Sequence, residues 1–213
     1  TSGIILTVPA LLAKKANAPV MLRISREEEH YIGRARPALH GRVKAGFTKD
    51  GRLVALDMFV VCDGGPYGPQ GDANASGRIA SLCYTPENMR WRGINAITNT
   101  PPRGPQSQPG GAQAVMIMEP MMTKAAKKLG IDQVAIRRIN APSGKAGIGP
   151  AVKGKRDHVT SAFVPEALDI GAETFRWNER KAQTKRSGNK ARGIRSEEHT
   201  SELQSLAYLV CRL

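Results

Sequence analysis

The sequence predicts an α+β fold of mixed β-hairpins and helices, and three observations lead to this prediction. Alternating apolar segments at 40–48 and 52–61 flank an Asp-Gly pair, which is the strongest short hairpin signal. Residues 112–129 carry apolar side chains at helical spacing and are followed by a glycine, a common helix stop. A second helix at 132–139 begins with an aspartate suited to capping its N-terminus.

The segment before the hairpin is predicted to contain one helix. Residues 3–16 are apolar with a basic end, and Pro9 predicts a kink or a late start near Ala10. The other elements predicted up to residue 98 are a short buried strand at 20–25, a charged turn at 26–30, an irregular Gly/Pro/Asn/Ser loop at 63–77, a short helix at 78–84 and a strand at 89–98.

The C-terminal part is predicted to be mainly helical. Pro120 should kink the 112–129 helix, and its methionines favour a soft core surface over a binding groove. Glu119 lies among apolar neighbours and needs a partner if it is buried, which favours a paired structural carboxylate over a general base. The elements that follow are a Gly/Pro/Lys-rich connection at 141–163, helices at 163–175 and 176–186, and a turn at 185–189.

Composition limits the class of protein. The 213 residues are 40% hydrophobic, and no apolar run approaches the roughly 20 residues that span a bilayer. Cys62, Cys83 and Cys211 lack a C-x-x-C spacing, which argues against a disulfide framework or a zinc site. The net charge of +14 raises nucleic acid as a partner. Aromatic residues do not alternate with the basic ones, so an anionic cofactor or a partner subunit is at least as plausible.

The loop between residues 98 and 111 is the best candidate for a site. Two prolines lead into Arg103 and Gly104, and a Gly/Pro/Gln segment then opens a long helix. The first N–H groups of a helix have no partner within it, so this arrangement can hold an anionic group beside the arginine. An ordinary strand-to-helix turn with an exposed arginine is the alternative.

Six segments of the chain resemble one enzyme family, in the same order. They are APVMLRISREEE at 18–29, Arg36-Pro37 with KAGFTKDGRLVAL at 44–56, DGGPY at 63–67, YTPEN at 84–88, TPPRGP at 100–105, and Glu119 with KLGID at 128–132 and IRRIN at 136–140. Together they resemble the molybdenum-cofactor subunit of the molybdenum hydroxylases, the xanthine dehydrogenase and aldehyde oxidase family, over residues 1–194.

The resemblance implies an internal fragment of the molybdopterin-binding domain of a longer subunit. The family's Gly-rich GGGFG-like loop would lie before Thr1, and its general-base glutamate beyond Leu213. Residues 195–213, RSEEHTSELQSLAYLVCRL, resemble translated sequencing-adapter DNA and are predicted to be a non-native tail. The fragment alone is therefore expected to be inactive.

The activity implied by the resemblance is hydroxylation of an aldehyde or an electron-poor N-heterocycle. The cofactor is molybdopterin, as such or as a dinucleotide, and electrons leave through iron–sulfur clusters. Those clusters and FAD belong to other domains or partner subunits, and the other partner is a small-molecule substrate. A cytoplasmic location is expected, with the periplasm as the alternative, and neither a nucleic-acid partner nor a membrane span is expected.

The resemblance also implies roles for individual residues. Arg103 faces the substrate and stabilises developing negative charge, as a guanidinium does better than a lysine. Pro102 stands where xanthine-oxidising members carry an aromatic residue, which argues against a flat purine substrate. Arg137 holds a cofactor phosphate or, equally plausibly, forms a structural salt bridge, and no metal ligand is assigned. The residues expected to contact the pterin are Gly104, Gln106, Gln108 and Gln113.

A basic module that binds nucleic acid or a protein partner is the alternative function. Between residues 124 and 192 the chain has 16 Lys and Arg against 6 Asp and Glu. Such a module would fold autonomously, and its binding would weaken steeply with salt.

Overall fold

A three-stranded mixed sheet with helices packed on one face organises the computed structural model, which describes residues 3–67, 71–104 and 106–194. The predicted non-native tail lies outside these residues. The elements are α1 (Gly3–Ala16), α2 (Arg26–Ile32), β1 (Leu39–Phe47), β2 (Leu53–Asp63), α3 (Asp72–Cys83), β3 (Asn88–Ala96), α4 (Gly111–Leu129), α5 (Gln133–Asn140), β4 (Gly147–Val152), β5 (Lys155–His158), α6 (Val164–Phe175), α7 (Trp177–Ala182), β6 (Lys185–Ser187) and β7 (Lys190–Arg192).

The predicted hairpin and the predicted α+β class are both confirmed. β1 and β2 pair antiparallel, with Leu39 opposite Cys62 and Val43 opposite Met58. β3 pairs parallel to β2 on its other side, after α3 has carried the chain back to the start of the sheet. Because β2 and β3 run in the same direction, residues that follow them meet at one edge of the sheet.

The core lies between the sheet and two helices. Alternate residues of β2 are buried because successive side chains of a strand point to opposite faces. α4 packs against them through one helical stripe, so Met118 and Met122 form a core surface, as predicted, whereas Met116 lies on the exposed side of the helix. The buried apolar residues of this core include Met58, Val60, Ala73, Ala80, Tyr84, Ala114, Met118, Met122, Ala126 and Ile136.

The later helices also follow the sequence closely. α4, α5 and α6 begin and end within about two residues of their predicted bounds, the usual uncertainty of helix ends. The Asp132 carboxylate accepts hydrogen bonds from the N–H groups of Val134 and Ala135, so it is the N-cap that the sequence predicts. None of the helices in the described residues is both long and apolar enough to cross a bilayer.

The predictions near the N-terminus are less accurate. α1 begins at Gly3, so a late start near Ala10 is wrong; Pro9 lies inside the helix, where it removes one N–H donor. The predicted strand at 20–25 is wrong, because no described strand pairs with this segment and Met21 is 90% exposed. The predicted turn at 26–30 is instead helix α2, which Ser25 and Glu28 begin with a reciprocal capping box.

Two predicted irregular segments contain regular structure. The second half of the 63–77 loop belongs to α3, which begins at Asp72. Part of the 141–163 connection forms the antiparallel β4–β5 pair, and Lys153 and Gly154 between these strands both have positive φ. Positive φ at two central residues is the geometry of a type I′ hairpin turn. The predicted second basic helix is shorter than expected, and the β6–β7 hairpin follows it.

Candidate functional site

The predicted site loop is held at the carboxyl ends of β2 and β3 by one carboxylate. Asp63 ends β2, and its Oδ2 accepts from Nε and Nη2 of Arg103 at 3.0 and 2.8 Å. Thr98 also donates to Asp63, as does Thr100 at 2.9 Å. The parallel pairing brings these residues together because Asp63 lies beside Ala96, the last residue of β3.

Hydrogen bonding lowers the pKa of the Asp63 carboxyl. The Thr98 hydroxyl has the largest effect on its pKa, and Thr100, the Gly65 N–H and Arg103 act in the same direction. These donors outweigh burial, which raises the pKa, and hold the pKa at about 2. The Asp63 and Arg103 side chains are only 16% and 17% exposed, so the ion pair is well shielded from solvent.

A segment between α2 and β1 anchors the loop from the other side. The N–H of Ala35 donates to the Pro102 carbonyl at 3.0 Å, and the N–H of Gly104 donates to the Ala35 carbonyl at 3.1 Å. The Gln106 amide donates to the Arg34 carbonyl at 2.6 Å. A side chain at Gly104 would collide with Arg34, so this close approach requires glycine.

The N–H groups at the N-terminus of α4 are bound by acceptors of the chain itself. The N–H of Gly110 donates to the Asp72 carboxylate at 3.2 Å, and the N–H of Gly111 donates to the Gln108 carbonyl at 3.0 Å. Asp72 is 1% exposed, and burial raises its pKa. These helix donors, which the sequence argument offered to a bound anion, are therefore already engaged.

The three glutamines at the loop differ in whether their amides are exposed and free to contact a ligand. Gln106 and Gln108 are exposed, and the Gln106 amide uses only its Nε2 within the described residues. Gln113 is buried, its Nε2 donates to the Pro37 carbonyl at 3.0 Å, and its Oε1 accepts from Arg36 at 3.4 Å. Arg36 also donates to the Ser107 carbonyl at 2.6 Å, so Gln113 and Arg36 support the loop from beneath.

Arg137 lies in a different part of the fold. It is 3% exposed, and its Nε and Nη2 donate to Glu119 at 2.9 and 2.6 Å. Tyr84 donates to the other Glu119 oxygen, so Glu119 has the partners that its apolar surroundings require. Glu119 and Thr123, which Arg137 contacts, lie roughly 12 to 18 Å along α4 from its N-terminus. The structure thus contains the salt bridge and does not bring Arg137 to the loop.

Several residues of this arrangement had no role in the sequence analysis. Asp63, Thr98 and Thr100 were quoted only as parts of a motif or a strand, and Arg36 and Asp72 likewise. The single local signal was an aspartate at the end of an apolar strand and before two glycines. Its partners lie more than 30 residues away, which a local pattern does not reveal.

The Cys62 thiol borders the site, but it is unsuited to act as a nucleophile or a metal ligand there. Cys62 is buried, and burial has the largest effect in raising its pKa to about 11, with Asp72 and Asp63 adding to it. A thiol is a poor nucleophile and metal ligand until it loses its proton. Cys62 is therefore a core residue.

We expect the Asp63→Asn substitution to make the free energy of unfolding less dependent on pH at acidic pH. The folded pKa of about 2 lies below the ordinary 3.8, so the carboxylate contributes stability above pH 4 that is lost as pH falls through about 2. Urea unfolding should show the wild-type advantage over the variant shrinking by about 2 kcal/mol between pH 6 and pH 2. Asp157→Asn, at an exposed carboxylate, is the control. A wild-type advantage that stays constant over this range would contradict the Asp63 arrangement.

Comparison with known proteins gives one consistent result. Residues 2–141 match the family described as "Molybdopterin cofactor-binding domain". The xanthine dehydrogenase molybdenum-binding subunit of Escherichia coli O157:H7 is 33% identical over 187 residues, which are 86% of this chain and 24% of that protein. The nicotinate dehydrogenase large molybdopterin subunit of Eubacterium barkeri is 35% identical over 135 residues, which are 62% of this chain and 32% of that protein.

Among solved structures, the fold is similar to the aldehyde oxidoreductase of Desulfovibrio gigas. The TM-score is 0.67 and the sequence identity 26%, over 85% of this chain and 20% of that protein. The chain thus spans about a quarter of the length of the first curated relatives it matches.

Proposed function

The chain belongs to the family of molybdopterin cofactor-binding domains, and from this premise we propose that it forms part of a molybdenum-dependent oxidoreductase. The proposed reaction is hydroxylation of an aldehyde or an N-heterocycle, with electrons leaving through iron–sulfur clusters on other domains or subunits. The observation that carries the proposal is that the 2–141 match contains the whole Asp63–Arg103 arrangement and its loop. The chain provides one wall of the site.

The loop has the chemistry to meet a pterin. The molybdenum cofactor supplies, when bound, the redox chemistry of the hydroxylation. Gln106 and Gln108 are exposed, and their amides can match the donors and acceptors of a pterin edge. Gly104 is buried with the Arg34 side chain against it, and its contact with the pterin stays a prediction. We assign the buried Gln113 to holding the loop through Pro37 and Arg36.

Arg103 is proposed to stabilise negative charge on the substrate. Asp63 binds its Nε and Nη2, which leaves Nη1 without a hydrogen bond to any described residue. A guanidinium fixed in this way presents the two N–H groups of Nη1 in set directions and needs little reorganisation when charge develops. The phosphate role of Arg137 stays a prediction, and its buried pairing with Glu119 supports the structural role.

The wider setting of the enzyme follows from the same proposal. Iron–sulfur domains or subunits, with or without FAD, are its proposed partners, and a small molecule is its substrate. We place it in the cytoplasm, with the periplasm as the alternative, and expect no nucleic-acid partner.

The proposal is tested on the extended reading frame, expressed in a host that makes molybdenum cofactor. We expect molybdenum by elemental analysis, a fluorescent pterin oxidation product on denaturation, and oxidation of benzaldehyde or nicotinate. The 213-residue chain should oxidise neither substrate. Replacing both Gln106 and Gln108 by alanine should lower the pterin content of the extended protein about tenfold. An extended, folded protein without pterin or molybdenum would overturn the proposal.

One observation favours a basic binding module as the second candidate. The face of the sheet turned away from the helices carries the exposed residues Arg42, Lys44, Arg90 and Arg92, with Asp57 paired to Arg90 and Arg92. If this face binds nucleic acid, affinity for a mixed-sequence oligonucleotide should fall by orders of magnitude between about 50 and 200 mM salt. The enzyme proposal expects no such binding.

A further inference from the structure

The sheet has an outer face, which is turned away from α3 and α4. Successive side chains of a strand point to opposite sides, so the residues of β2 that alternate with the core residues Met58 and Val60 lie on this outer face. The strand register arranges the outer face in three cross-strand rows, which are His40–Val61–Ile94, Arg42–Phe59–Arg92 and Lys44–Asp57–Arg90.

The central strand has the composition of a strand that is covered on both faces. β2 has the sequence LVALDMFVVCD, in which Asp57 is the only charged residue before the last position. A strand with one solvated face alternates apolar and polar residues, whereas a strand buried on both faces is a nearly continuous apolar run. Phe59 and Val61 point outward from β2, and Ile94 beside them on β3 is 51% exposed. An apolar strip that reaches solvent in this way marks an interaction site.

Positive charges border this apolar strip on both sides. The cations of β1 are Arg42 and Lys44, and those of β3 are Arg90 and Arg92. Asp57 is the one carboxylate in the three rows, and it accepts from Arg90 at 2.9 and 2.6 Å and from Arg92 at 3.4 Å. Arg42 and Lys44 form no ion pair within the residues that the structure describes. Because four cations meet one carboxylate, the outer face is complementary in charge to an acidic partner.

The spacing of the two pairs of cations fits one helix. β2 lies between β1 and β3, and neighbouring strands are about 4.8 Å apart, so the two cationic strands are separated by roughly 10 Å. An α-helix with its side chains is about 10–12 Å across. A helix laid along β2 can therefore cover the apolar strip with its apolar stripe and hold acidic residues over β1 on one side and β3 on the other.

The outer face is less suited to a nucleic-acid strand. Phe59 is the only phenyl or indole ring in the three rows, and the Arg92 guanidinium lies over it, 5.3 Å from the ring centre. Proteins that bind single strands stack successive bases on several aromatic side chains. Both cations of β3 are also engaged by Asp57, which leaves only those of β1 to meet a phosphate.

We propose that the outer face is covered by an acidic amphipathic helix of the same polypeptide, outside these 213 residues. The chain corresponds to 24% of the length of the first curated relatives it matches, so a protein of their length has enough further chain to supply this helix. A tethered segment meets its site at a high effective concentration, so the contact needs little affinity of its own. This docking depends on the chain being part of a longer protein, and not on the proposed oxidation.

Zero-length cross-linking of the purified extended protein tests the proposal. A carbodiimide joins an amine to a carboxylate in direct contact, and Lys44 is the one lysine in the three rows. By peptide mass spectrometry we expect Lys44 to be linked to an aspartate or glutamate of a segment outside the 213 residues that has apolar residues at helical spacing. The 213-residue chain alone should give only links within its own sequence, such as Lys44 to Asp57 across the β1–β2 pair.

Charge reversal separates a specific contact from general attraction. Arg42→Glu leaves Lys44 in place and should lower the yield of the cross-link about fivefold. Lys127→Glu makes the same change in net charge at an exposed lysine of α4, on the other side of the sheet, and should leave the yield unchanged. Arg42 and Lys127 are both exposed, so we expect both variants to fold, which circular dichroism checks.

Mixing the extended protein with an isotope-labelled copy identifies the source of the carboxylate. A link within one polypeptide joins only peptides with the same label, whereas a link to a second copy or a separate subunit would overturn the proposal. Equal effects of Arg42→Glu and Lys127→Glu, or no external link to Lys44, would overturn it too. Nucleic acid bound at this face would assign the face to the second candidate function instead. An extended protein without molybdenum that gives the expected link would contradict the proposed function alone.

Discussion

Glu119→Ala is expected to lower the free energy of unfolding by about 3 kcal/mol, because it removes a carboxylate that accepts two hydrogen bonds from the buried Arg137 guanidinium. Arg137 is 3% exposed and donates to Glu119 through Nε and Nη2. Arg137 also donates to the Thr123 hydroxyl at 3.1 Å and to the Gln133 carbonyl at 2.9 Å, and neither of these two acceptors carries a full charge. The Tyr84 hydroxyl loses an acceptor as well. Urea unfolding at pH 7 measures the loss.

The next arginine of the same helix provides the matched control. Arg138 binds Asp169 at 2.6 Å, but the two side chains are 53% and 49% exposed. Asp169→Ala should therefore cost less than about 1 kcal/mol. Replacing the buried pair together, by Glu119→Leu with Arg137→Met, should recover much of the loss. If Glu119→Ala and Asp169→Ala cost the same, the Glu119 pair is not a buried structural bridge.

Met118→Ala is expected to cost about 3 kcal/mol, since it opens a cavity between α4 and the sheet. Met118 is fully buried in the core cluster, whereas Met116, two residues earlier on the same helix, is 76% exposed. Met116→Ala should change stability by less than about 0.5 kcal/mol. Thermal or urea unfolding of the two variants compares a buried and an exposed methionine of one helix.

A conservative variant makes this test sharper. Met118→Leu keeps the volume and should cost less than about 1.5 kcal/mol. A small effect of Met118→Ala, close to that of Met116→Ala, would mean that α4 does not pack on the sheet as described. The methionines would then be available as the binding groove that the sequence analysis disfavoured.

Local chemistry was enough to find the elements whose signals lie within a few residues. The Asp-Gly pair set the β1–β2 turn, and the Asp132 carboxylate capped α5 by accepting from the N–H groups of Val134 and Ala135. The spacing of apolar residues placed α4 and its buried stripe. The capping box of α2 was equally local, with Ser25 three residues before Glu28, and sequence reasoning missed it because the acidic run looked like a solvated turn.

The sequence predicted which segment of the chain forms the site, but not the contacts that hold it. The sequence located the loop and named Arg103, Gln106 and Gln108 on the strength of a family resemblance. It did not show that Asp63 would bind Arg103 or that Asp72 would occupy the N-terminus of α4. Those contacts depend on β3 pairing parallel to β2 and on α3 returning the chain beneath the loop.

The sequence by itself determined the α+β class, the central hairpin, the main helices and the family. Each depends on turn chemistry, apolar periodicity or a run of local motifs. Only the tertiary structure decided which charges meet: Arg103 with Asp63, Arg137 with Glu119, and Arg156 with no acid in the described part of the chain. The physical reason is that an ion pair forms between side chains that are close in space, and the strand register that brings them together is fixed by packing over the whole sheet.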